Sequence, residues 1–105
     1  MKEESINQLK SLIQRMDELT LSEKYSKEFE SLIKEAILII KSQENPVNSC
    51  FAAIKQSAAD DLEYEHKKYV RTYTESGSKK EKLLVLKDAR ADVASIIHTV
   101  LACFD

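Results

Sequence analysis

Glu63 and His66 stand three residues apart, the spacing by which one helical turn presents two ligands to a di-iron centre. Such a centre takes a second motif of the same kind and two further carboxylates. The other histidine, His98, has Ser95 and not an acid three residues before it. Asp88 and Asp92 carry suitable oxygens, but helical periodicity puts them on the outer face of their helix. No metal or cofactor is therefore expected, with His66 a rim residue and His98 a surface one. Cys50 and Cys103 lack metal-ligand spacing, and a nucleophilic thiol needs an activating neighbour that neither histidine is placed to supply. Both are expected to be small, largely buried thiols in a reducing compartment. A chain with one glycine has no room for a phosphate-binding loop, and no nucleophile elbow is present. Enzyme activity is not expected.

Charge offers a different chemistry. Between residues 67 and 82, Lys67, Lys68, Arg71, Lys79, Lys80 and Lys82 face only Glu75 and Glu81. The formal net charge is −2, so this basic pole sits on an otherwise acidic body. Tyr64, Tyr69 and Tyr73 interleave with it, a combination that can contact phosphates and stack on bases. Tyr69 and Tyr73 also fit an apolar stripe, and no nucleic-acid motif accompanies them. An acidic protein partner is at least as strong an expectation for this pole as nucleic acid; for the whole chain a protein partner leads, with a nucleic-acid contact as the alternative and a carboxylate/His metal site a distant third.

The elements that carry these residues follow from the scarcity of breakers. Gly77 and Pro46 are the only glycine and proline, so the chain is nearly all helix. Ile6, Leu9, Leu12, Ile13, Met16 and Leu19 recur at helical spacing and predict a first helix over about 3–19. Thr20 to Glu23 reads as a capping box opening a second helix, about 21–43, with Tyr25, Phe29, Leu32, Ile33, Ala36 and Ile40 inward. Leu38 falls on its opposite side and is a candidate contact residue. Asn45 and Pro46 read as N-cap and first residue of a third helix, about 46–75, with Val47, Phe51, Ile54, Ala58, Leu62, Tyr69 and Tyr73 on its apolar arc. Ser76-Gly77-Ser78 turns the chain, Gly77 being able to take the left-handed conformation, and a fourth helix occupies about 79–104. The fold class is all-α: one antiparallel four-helix bundle with a long hairpin of helices 3 and 4.

Folding at Gly77 sets level those residues that lie equally far before and after it. Glu65 and Arg90 become level in this way, each a charged intruder in an apolar arc, which predicts a buried structural ion pair. Cys50 and Cys103 also become level, at the open end of the hairpin. Helix 4 has an apolar arc of about half its circumference, wider than one neighbour needs. A homodimer is therefore expected, through the C-terminal half of helix 4 (Val100, Leu101, Phe104) or the Leu38 side of helix 2.

Lys41-Ser42-Gln43-Glu44-Asn45-Pro46-Val47, followed by Ala52, Ala53 and Ile54, resembles the junction of helices 2 and 3 in small bacteriocin immunity proteins. That resemblance implies a cytosolic four-helix bundle acting by binding a protein complex. It is confined to the junction and assigns no family, since helices 3 and 4 are longer here and the chain ends on a helix without a tail. The sequence thus supports a small non-catalytic cytoplasmic bundle of inhibitor, immunity or adaptor type. Its expected partner-binding residues are Leu38, Lys67, Lys68, Arg71, Lys79, Lys80 and Lys82. The longest apolar run, Ala36–Ile40, is too short to cross a bilayer, so no membrane insertion is expected. The N-terminus shows no hydrophobic signal region, which supports the cytoplasmic expectation.

Overall fold

The computed structural model describes residues 1–105 as four helices and no strand. They are α1 (Glu3–Asp17), α2 (Lys27–Lys41), α3 (Ser49–Glu75) and α4 (Lys79–Ala102). Each helix packs on its sequence neighbours, α1 also closes on α4, and α1 and α3 lie at opposite corners. The α3–α4 hairpin holds the most extensive helix contact. It turns through Ser76, Gly77 and Ser78, as the single glycine predicts.

Leu9, Leu12, Met16, Phe29, Leu32, Ile33, Phe51, Leu62, Tyr69, Leu86, Val93 and Ile97 fill the axis. No charged or polar residue is fully buried. The wide apolar arc of α4 has an explanation inside one chain. That helix meets α1, α2 and α3, so Val100 and Leu101 are buried and Phe104 packs on Phe51 with ring centroids 5.6 Å apart. Val100, Leu101 and Phe104 thus pack within the chain's own core.

Helix starts depart from the sequence reading at two places. Ser26, not Thr20, caps α2, its hydroxyl accepting from the Phe29 N–H at 3.0 Å. Residues 18–26 stay non-helical because tertiary contacts claim them. Tyr25 stacks on Tyr69 with centroids 5.0 Å apart, and the Tyr73 hydroxyl donates to the Glu23 carbonyl at 2.8 Å. Likewise Asn48, not Asn45, caps α3, accepting from Phe51 N–H at 2.9 Å. Asn45 instead takes a left-handed φ of 47° in the loop, a conformation that asparagine tolerates. With the helix start moved past it, Val47 leaves the apolar arc and is 97% exposed.

Gly77 is not left-handed. The turn is held by side chains. Ser78 accepts from Glu81 N–H at 3.1 Å, while the Glu81 carboxylate reaches back to the Gly77 N–H at 3.0 Å. Lys82 donates to the Tyr73 carbonyl at 2.9 Å and lies 4.2 Å from the centre of that ring. It neutralises the carbonyl end of α3, where cations are favoured.

Helix lengths set the shape, 47 × 22 × 18 Å. At 1.5 Å per residue α3 runs about 40 Å and α1 and α2 about 22 Å each. Since α2 begins beside Tyr69 and α1 ends beside Arg90, the hairpin continues past both. Only residues 18–26 accompany its last turns.

Candidate functional site

Four places on the bundle gather polar or exposed groups. The first is a joint between α2 and α3 built on Glu30. Its carboxylate accepts from the Tyr25 hydroxyl at 2.7 Å, meets His66 Nε2 at 2.9 Å and Lys34 Nζ at 3.3 Å. The Tyr25 bond first, then that of His66, holds the Glu30 carboxyl at about 2, well below its ordinary value. Burial pushes the Tyr25 phenol up, and its bond to Glu30 adds to that. Beneath them the buried Tyr69 hydroxyl accepts from Ser26 N–H at 2.9 Å. The acceptor positions of Glu30 are thus taken by three donors, and the arrangement fastens α2 to α3.

This joint separates the Glu63–His66 pair. His66 turns to Glu30, while Glu63 meets Lys41 at 2.6 Å across the same helix interface. That hydrogen bond raises the Lys41 amine and lowers the Glu63 carboxyl, though both stay half exposed. No three His, Cys, Asp or Glu side chains converge on a metal-sized site.

The second place is a cleft of about 120 Å³ on the outer side of the hairpin, between Glu65, Lys68, Thr72, Val85, Asp88 and Asp92. Asp88 and Asp92 are exposed on the outer face, as helical periodicity predicts, and line this groove. Partial burial raises the Glu65 carboxyl, and the Asp92 and Asp61 charges push it the same way against Lys68. Arg90 does not answer it. Its guanidinium points to the Met16 carbonyl, 3.5 Å away, in the last turn of α1. Equal distance from the turn made Glu65 and Arg90 level, but Glu65 lies on the flank of α3 facing the outer cleft and Arg90 on the flank of α4 facing α1. The expected ion pair is absent: matching height is not matching azimuth.

At the open end of the hairpin, Cys50 and Cys103 are bonded to each other, with Cα atoms 5.5 Å apart. Their levels match as predicted, but they are neither free nor deeply buried, Cys50 being exposed and Cys103 half-buried.

The fourth place is the projecting tip. Lys67, Arg71, Lys79 and Lys80 are exposed and make no ion pair within 4.0 Å, the five in the chain lying elsewhere. Lys68 leans 4.0 Å from Asp92 into the cleft, and Lys82 is held by the turn. Val70 on α3 and Leu84 on α4 are 39% and 46% exposed. Leu38, the remaining expected contact residue, is 69% exposed at the opposite end of the surface. It borders a groove between α1 and α2 lined by Gln8, Leu12, Arg15, Glu35 and Ile39.

No helix is long and apolar enough to cross a membrane. Neither family models, characterised proteins nor solved structures give a match to this chain.

Proposed function

We propose that this chain acts by binding an acidic protein partner through the tip of the α3–α4 hairpin, as a non-catalytic inhibitor, immunity or adaptor-type bundle of the cytoplasm. One observation carries the reading. Arg71, Lys79 and Lys80 stand exposed and unpaired where the hairpin continues past α1 and α2, with Lys67 exposed and unpaired beside the first turn of α2 and Val70 and Leu84 exposed near them. Unpaired cations steer an oppositely charged partner, and the apolar side chains among them supply area to desolvate.

A photo-crosslinking residue placed at position 80, and in a second protein at position 38, tests this in the native cell. The reading expects the tip probe to trap a discrete acidic protein, lost on Arg71→Glu/Lys79→Glu exchange. Trapping only at position 38 refutes it. Tip crosslinks to nucleic acid, with binding that falls steeply as salt rises, establish the nucleic-acid alternative instead.

Self-association through the α1–α2 groove is a second reading, favoured by the exposure of Leu38 there. It expects a 24 kDa species, twice the 12.0 kDa chain, in sedimentation at high protein concentration, and its loss in Leu38→Glu.

A further inference from the structure

The disulfide sits where it can be both reached and felt. Cys50 occupies the first turn of α3, two residues after its cap Asn48, and is exposed. Cys103 follows the last helical residue of α4 and is half-buried. The bond therefore ties the start of one hairpin arm to the end of the other, 53 residues apart in sequence. Two other contacts hold that end. Asn48 Nδ2 donates to the Cys103 carbonyl at 2.9 Å while its Oδ1 caps α3, and the Phe104 ring covers Phe51, which is wholly buried.

Beyond this end the hairpin is fixed independently of the bond. Ala58, Leu62, Tyr69, Leu86, Val93 and Ile97 are buried in one continuous core, and the Glu30 joint and the Ser76–Ser78 turn lie far along the helices. Cutting the bond leaves all of these in place. Val100 and Leu101 stay buried in the core, so what the cut loosens is residues 103–105, held by the Asn48 hydrogen bond, the Phe104–Phe51 contact and the closing backbone bonds, the local, low-stability opening expected just past a helix terminus.

We propose that Cys50–Cys103 is a redox clasp: a solvent-reachable disulfide whose reduction by a dithiol releases residues 103–105 at the end of α4 and uncovers Phe51 while the bundle stays folded. In the first step a reductant thiolate attacks the sulfur of Cys50, the exposed residue of the pair. A mixed disulfide forms there, and Cys103 leaves as a thiolate and takes up a proton. The second thiol of the reductant then displaces Cys50, which is protonated in turn. Two electrons and two protons pass to the protein and the reductant becomes a disulfide. On the cytoplasmic reading proposed above, a disulfide is expected to be of this transient kind, and the exposure of Cys50 is what separates this bond from a buried structural one.

The test compares the air-oxidised full-length chain with the same chain in dithiothreitol, by intact mass and by hydrogen exchange. The clasp expects a mass gain of two hydrogens under non-denaturing conditions. It expects amide exchange in 103–105 and 49–52 to quicken by about tenfold or more, with 58–69 and 86–97 unchanged. Cys50→Ser should show the fast terminal exchange with or without reductant. Three results overturn the proposal: two free thiols in the air-oxidised protein, a bond that resists the dithiol until the bundle is unfolded, or reduction that changes exchange nowhere. Faster exchange throughout all four helices also overturns it, because the bond is then a staple of the whole fold.

Discussion

Glu30 allows the most direct quantitative prediction. Its carboxyl falls from an ordinary 4.5 to about 2 in the folded chain. At about 1.4 kcal/mol per pH unit of difference between folded and unfolded states, this integrates to about 3 kcal/mol. The side chain is 23% exposed, and solvent screening brings the expectation to about 2–3 kcal/mol. The sign is set by the direction of the shift. A depressed carboxyl contributes stability that is fully present above the unfolded value and lost as pH falls, here between about 4.5 and 2. Glu30→Gln keeps the shape, removes the charge and leaves the Tyr25 hydroxyl and His66 with a weaker acceptor. Urea unfolding at pH 7 should show the variant less stable by about 2–3 kcal/mol, roughly 10 °C in Tm for a chain of this size. The gap should close as pH drops through that window, since the wild type loses what the variant never had. Tyr25→Phe, which removes the largest cause of the shift, should give part of the same loss. A gap that is absent at pH 7, or equally large at pH 2.5, would show that the joint does not hold α2 on α3.

Glu65 has the opposite sign. Its carboxyl is raised by burial and by Asp92, so Glu65→Gln should raise the urea midpoint at pH 7, with the advantage vanishing in acid once the wild-type carboxyl is protonated. Gly77→Ala should stabilise by about 0.4–1 kcal/mol, because Gly77 has no positive φ and a Cβ there meets nothing within 4 Å; a loss of stability in denaturation would contradict the backbone described. Arg90→Ala should cost about 1 kcal/mol for its bond to Met16 and the packing of its stem. Combined with Glu65→Ala, the two effects should add, and a coupling above about 0.5 kcal/mol would restore the discarded ion pair.

Periodicity and one glycine were enough for the helix count, the hairpin and most of the core. Both are local properties: a 3.6-residue repeat selects the buried face, and a chain without breakers has nowhere else to turn. The same reasoning set Cys50 level with Cys103 and left Leu38 outward. What it missed depends on contacts between elements. Thr20 and Asn45 had good capping chemistry, yet Ser26 caps α2, because Tyr25 is drawn onto Tyr69 and Glu23 onto Tyr73, and Asn48 caps α3, its amide also held by the Cys103 carbonyl. No pattern within one helix shows His66 meeting Glu30 rather than a metal. Level along a hairpin follows from counting residues, whereas the direction in which a side chain leaves its helix matters only once the neighbouring helices are placed. That is why Glu65 and Arg90, equal in height, face different partners. Only the packed bundle decided it.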